Sequence, residues 1–138
     1  MPNHFHLLLE EVTEGGISRF LRRSLLSYTR YFNTRHSRVG PLFQGNFRFV
    51  LIENNDQFLH VTRYIHLNPY VAKLTDDPES YRWSSYLAYQ HNQPNRLCNP
   101  LLALELAHSP LDYQEFLVDF ASYARDFALI RKHAFDEE

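Results

Sequence analysis

From Gly15 to Ile52 the chain carries seven arginines (Arg19, Arg22, Arg23, Arg30, Arg35, Arg38 and Arg48) and not one aspartate or glutamate. Guanidinium groups with no carboxylate beside them resist burial, because desolvation penalises the unpaired charge. Whatever this stretch folds into must therefore keep a positive side in water. The bias reverses later: from Leu97 to the end, eight acidic residues stand against three basic ones. A net charge of −2 hides this asymmetry. One part of the chain can face a polyanion while another cannot.

The arginine span opens with helical periodicity. After the Gly15-Gly16 break, the spacing predicts a helix over residues 17–35. At 100° per residue, Ile17, Phe20, Leu21, Tyr28, Tyr31 and Phe32 share one face, and Arg19, Arg22, Arg23 and Arg30 fall on the other. An ordinary solvated helix back would also be charged, but such faces usually mix both signs. Gly40-Pro41 starts a new element. Residues 42–52 are strand-like, with Gly45-Asn46 able to bend them into a hairpin and with Phe47 and Phe49 flanking Arg48. Aromatic rings beside arginine can stack on bases, although core phenylalanines are the commoner explanation.

Residues 4–9 (His-Phe-His-Leu-Leu-Leu) read as a short apolar strand. Asn54 is a helix N-cap with Gln57 as its capping partner. The helix should run over 55–67, with Phe58, Val61, Thr62 and Ile65 as its core stripe. His60, Tyr64, Leu67 and Asn68 project to the other side, and Pro69 ends the helix. Asp76–Pro78 is a turn, and Tyr81–Tyr86 begins a short helix. Residues 91–100, rich in Asn, Gln and Pro, read as a linker. Helices are expected over 101–107 and 111–130, the latter with Tyr113, Phe116, Leu117 and Phe120 at helical spacing.

Several chemistries are excluded. The single cysteine, Cys98, permits neither an internal disulfide framework nor a cysteine-based zinc site. Four glycines build no phosphate-cradling loop, and there is no CxxC pair and no HExxH. A stretch of about 18 apolar residues is lacking, and so is a basic leader, so no membrane partner and a cytoplasmic location are the expectation.

Two constellations remain. His4 and His6 lie at i and i+2, which on a strand puts both imidazoles on one face, where they could share a divalent cation. Tyr64 and Asn68 lie at i and i+4, one above the other on a helix. A tyrosine can act as a covalent nucleophile when a cation or base helps it, and the Asn68 amide oxygen suits a hard cation. Accident and ordinary packing are the bland alternatives for each pair taken alone.

Four runs occur in an order that resembles the REP-associated tyrosine transposases, relatives of the HUH single-strand transposases of bacterial insertion sequences. They are Met1-Pro2-Asn3-His4-Phe5-His6-Leu7-Leu8, Gly40-Pro41-Leu42-Phe43-Gln44-Gly45, Arg63-Tyr64-Ile65-His66-Leu67-Asn68-Pro69 and Tyr81-Arg82-Trp83-Ser84-Ser85-Tyr86. The resemblance covers roughly residues 1–90. It implies that His4 and His6, with Asn68 as third ligand, hold Mg²⁺ or Mn²⁺. It implies that Tyr64 attacks a phosphodiester of single-stranded DNA flanked by hairpins, giving a 5′-phosphotyrosine and a free 3′-OH. Arg19, Arg22, Arg23, Arg30 and Arg48 would contact the DNA. Asn46 stands where relatives usually carry a basic residue, and Arg48 could compensate.

The fold so implied is α+β: the remainder of a ferredoxin-like HUH core over 1–90, lacking the strand, helix and strand that relatives carry ahead of it. A linker over 91–100 and a helical segment over 101–138 would follow. An open sheet edge at residues 4–9 would favour a homodimer. Two rivals stand beside the transposase reading: a truncated, catalytically inactive DNA-binding relative, and a small metal-dependent hydrolase that releases product without an adduct.

Overall fold

The computed structural model describes residues 1–94 and 96–135; for residues 122, 123 and 125–135 it gives the course of the backbone only. Among the described residues five helices follow one another: α1 (Gly16–Arg35), α2 (Asn55–Val71), α3 (Tyr86–Gln90), α4 (Leu101–Leu106) and α5 (Pro110–Phe135), with a 3-10 turn at Pro78–Ser80. The last three residues of the expected 101–138 segment lie outside the described residues.

The expected α+β architecture is not what forms. Among the described residues there is no strand and no sheet. Residues 4–9 and 46–52 run as irregular backbone, without the ladder of hydrogen bonds that turns an apolar segment into a strand. Apolarity and alternation make a segment suited to a sheet, but a strand exists only with a paired neighbour. Gly45 does take the left-handed conformation of a turn (φ +70°), yet no strand forms on either side of it, and Phe47, Phe49, Val50 and Leu51 stay exposed.

The chain forms two compact units, Leu7–Leu51 and the combination of Met1–His6 with Ile52–Glu138. The first holds α1 and all seven arginines of the acid-free span. Its helix starts at Gly15, an N-cap at φ +66°, and a Cβ at Gly16 would stand 2.9 Å from Thr13 Oγ1. Both glycines are thus required by the entry into α1. The expected apolar stripe of this helix is only partly realised. Leu21 is buried and Ile17 and Phe32 are half-buried, whereas Phe20, Tyr28 and Tyr31 are exposed. Tyr28 instead joins a loose aromatic group with Tyr31, Phe32 and Phe43, at ring separations of 6.2–6.4 Å. The Asn33 side chain closes the loop after the helix by donating to Gly40 O at 2.9 Å.

The second unit contains the main core. Leu67, Tyr86, Tyr89, Ala103, Leu104, Tyr113 and Leu117 are buried together, with Phe58, Leu59, Phe116 and Phe120 packed around them. Helix α2 begins as its sequence requires: Asn54 Oδ1 accepts from Gln57 N at 2.8 Å, and Gln57 Oε1 accepts from Glu53 N at 2.8 Å. It ends later than expected. Pro69 lies inside the final turn, is buried, and the helix continues to Val71. The closing bonds come from Ala72 N to Asn68 O and Leu74 N to Pro69 O, so the missing proline donor does not stop the chain. Residues 81–85 form a turn, and the helix starts only at Tyr86. The expected linker is tied to this core through half-buried Cys98 and fully buried Pro100.

Candidate functional site

Helix α2 is held by its two sides differently, and that decides what it can offer. One side carries His66, only 2% exposed. Its ring nitrogens bond to the Tyr113 hydroxyl at 2.7 Å and to Ser85 Oγ at 2.9 Å. One nitrogen donates and the other accepts, and both partners, being hydroxyls, can take either role. Burial pushes the His66 pKa down to about 4, so the imidazole is neutral at pH 7. Arg63 clamps the same helix to α5, with its guanidinium 4.0 Å from the Phe116 ring centroid and 4.2 Å from that of Phe120. His60 turns toward this same clamp: its Nδ1 lies 2.8 Å from Arg63 Nη2 and its ring packs against Phe116.

The opposite side of α2 carries Tyr64 and Asn68. Tyr64 is 58% exposed and the helix packs without it. The amino-terminal segment of the same unit crosses this side. His6 Nε2 lies 2.9 Å from Asn68 Nδ2. The His6 ring meets the Tyr64 ring edge-on at 5.3 Å between centroids. His4 follows at 5.1 Å from His6, again edge-to-face, and its Nδ1–H donates to Asn3 Oδ1 at 2.8 Å. That bond leaves His4 Nε2 as the nitrogen with a free lone pair. His4, His6, Asn68 and Tyr64 thus form one contiguous group, although no strand aligns the histidines. Partial burial, then the neighbouring His4 and the chain's amino group, lower the pKa of His6 and favour its neutral form.

The group suits a cation in kind. Its donors would be two imidazoles and one amide oxygen, all neutral. Among the described residues no cluster of three His, Cys, Asp or Glu exists that could replace them. Asn68 presents its nitrogen to His6; turning the amide over presents Oδ1 instead, an exchange of nearly equal shape. Imidazole nitrogens favour borderline transition-metal cations, and the amide oxygen is the one donor of the set suited to a hard cation.

The other tyrosines near the core are poor nucleophiles. Tyr86 is 3% exposed, and burial together with Glu79 and Asp77 raises its pKa. Tyr89 is pushed up to about 12 by burial, and burial also raises Tyr113 far above the usual phenol range. These phenols keep their protons.

The DNA-facing candidates lie in the other unit. Arg19, Arg22, Arg23, Arg30 and Arg48 are all exposed. Arg19 donates to Thr13 Oγ1 at 3.3 Å, and no carboxylate pairs with the five among the described residues. The four on α1 run from Arg19 to Arg30, roughly 16 Å of helix. No helix among the described residues is long and apolar enough to cross a membrane.

His66 and Ser85 were not legible as partners. The signal was present only in part, as His66 follows Thr62 by four positions and so shares its buried side. Comparison with family models, with curated proteins and with solved structures returns no match.

Proposed function

We propose that this protein cleaves and rejoins single-stranded DNA as a transposase-like enzyme, with Tyr64 as the nucleophile. The observation that carries the reading is the meeting of His6 with both Tyr64 and Asn68, at 5.3 Å between rings and 2.9 Å between polar atoms, from segments far apart in sequence. The resemblance of four ordered sequence runs to REP-associated tyrosine transposases supports it independently.

In this reading His4, His6 and Asn68 hold a divalent cation, Mn²⁺ or Mg²⁺, which when bound polarises the scissile phosphate. Tyr64 Oη forms a bond to phosphorus as the bond to the 3′ oxygen breaks. The phenol proton leaves to solvent, and the departing oxygen takes up a proton to become a 3′-OH. The products are a 5′-phosphotyrosine and a free 3′ end, so the phosphodiester energy is kept for rejoining. Asn68, one turn from Tyr64, and the edge of the His6 ring fix the side from which the phosphate approaches. The exposed arginines of α1 and Arg48 supply the sequence-independent attraction to the DNA backbone.

The test is incubation of the protein with a hairpin-flanked single-stranded oligonucleotide and Mn²⁺. A protein–DNA adduct resistant to denaturant is expected, and it maps to Tyr64 by mass spectrometry. Binding without an adduct would leave a DNA-binding protein that does not nick. Cleavage with no adduct would favour a metal-dependent hydrolase.

A further inference from the structure

The chain has a single tryptophan, and it is not in the core: Trp83 is 73% exposed. One exposed apolar side chain is ordinary, but tryptophan is highly buried on average and carries a large apolar area. Here the indole also carries a guanidinium, with Arg82 Cζ 4.4 Å from the ring centroid. No carboxylate pairs with Arg82 among the described residues. Two acids just ahead of it have partners of their own: Asp77 accepts from Glu79 N, and Glu79 accepts from the side-chain amides of Gln90 and Gln114.

The turn that presents this pair is fixed at both ends. Ser84 N donates to Tyr81 O at 3.2 Å, and Tyr86 N donates to Ser84 Oγ at 3.2 Å. Ser85 is bonded to buried His66, and Tyr86 is itself buried. Arg82 and Trp83 therefore stand at the tip of a rigid turn, with one face of the indole covered by a cation and much of its surface open.

We propose that Trp83, backed by Arg82, is a stacking platform for an unpaired base of single-stranded DNA. An aromatic ring offers a face that any base can stack on, and a guanidinium beside it serves the neighbouring phosphate. A fully paired duplex keeps its bases stacked on both faces everywhere but at its two ends. The proposal rests on the single-stranded DNA reading given above and adds a contact that reading does not contain.

The sole tryptophan makes the test direct. The full chain is titrated with a hairpin oligonucleotide bearing unpaired flanks, following Trp83 emission with unlabelled DNA and, in parallel, anisotropy with labelled DNA. Emission should be quenched along the same isotherm as the anisotropy rise, and a blunt duplex of equal length should quench far less. Trp83→Ala should weaken binding about 5- to 150-fold, the range of one base stack, while Trp83→Phe stays within a few-fold of the parent. Binding by anisotropy with unchanged emission, equal quenching by the duplex, or an unaltered Kd for Trp83→Ala would overturn the platform and leave the DNA reading standing. Absence of any binding at low salt would overturn both.

Discussion

His6 and Asn68 lie 62 positions apart in the sequence and meet at 2.9 Å, one from irregular amino-terminal backbone and the other from the last turns of α2. A hydrogen bond between a half-buried imidazole and an amide could be ordinary packing. What sets it apart is the company: Tyr64 at the edge of the same imidazole and His4 next to it, with its own ring orientation set by Asn3. The arrangement offers neutral nitrogen and oxygen donors beside a phenol that packing does not need.

The first expectation concerns the cation. Mn²⁺ titrated into the protein and followed by the spin-resonance signal of the free ion should show a site that His4→Ala combined with His6→Ala removes. Asn68→Ala should weaken it at least about tenfold, the lower end of what even outer partners of a metal ligand cost. Asn68→Asp should tighten it by adding charge. Equal Mn²⁺ uptake by parent and double variant would rule out these ligands.

The second concerns the arginines. Counterion release makes log K fall with log salt by about 0.7 for each single-strand phosphate neutralised. Replacing Arg19, Arg22 and Arg23 together should flatten that slope by roughly 2, without preference among DNA sequences. A slope unchanged by the triple substitution would exclude this face of α1 from the interface.

A third follows from His66. Its pKa falls from the ordinary 6.5 to about 4 on burial, so between these values the unfolded chain binds the extra proton. The contribution is fully present above pH 6.5 and is lost as pH falls toward 4. The loss is about 2 kcal/mol between pH 7 and 5, and about 3 kcal/mol below pH 4. Urea midpoints measured across this range should fall more steeply for the parent than for His66→Gln, which keeps polar atoms but does not titrate. Parallel curves would contradict the assignment.

What the sequence made legible was local or periodic. Asn54 with Gln57 announced the start of α2, and Tyr113 with Leu117 announced the buried side of α5, because capping and helical spacing are properties of neighbouring residues. Pairing is not. Residues 4–9 and 42–52 have strand composition, but a sheet needs partners at a distance, and no ladder forms. Pro69 misled for a related reason: near a helix end the lost donor matters little, since the closing bonds come from Ala72 and Leu74. Tyr28 and Tyr31 fell on an apolar stripe yet stay exposed, as periodicity gives a side of the helix and not what covers it. Within the site, the pairs His4–His6 and Tyr64–Asn68 were each visible as short-range spacings. Their contact with one another was not legible in any spacing, because it joins segments that only folding brings together; it was expected from the family resemblance alone, which set Asn68 beside the two histidines. His66 escaped because nothing in its own neighbourhood named Tyr113 or Ser85.

The central claim is that Tyr64 carries the covalent chemistry. The direct measurement is denaturing electrophoresis after incubation with hairpin-flanked single-stranded DNA and Mn²⁺, comparing the parent with Tyr64→Phe and Tyr86→Phe. At 58% exposure, Tyr64 can lose its hydroxyl without disturbing the core, so Tyr64→Phe should fold and bind DNA like the parent. The account predicts a shifted protein–DNA band for the parent and for any folded Tyr86→Phe, and none for Tyr64→Phe. An adduct that persists in Tyr64→Phe, or that no protein forms while DNA is bound, would contradict it.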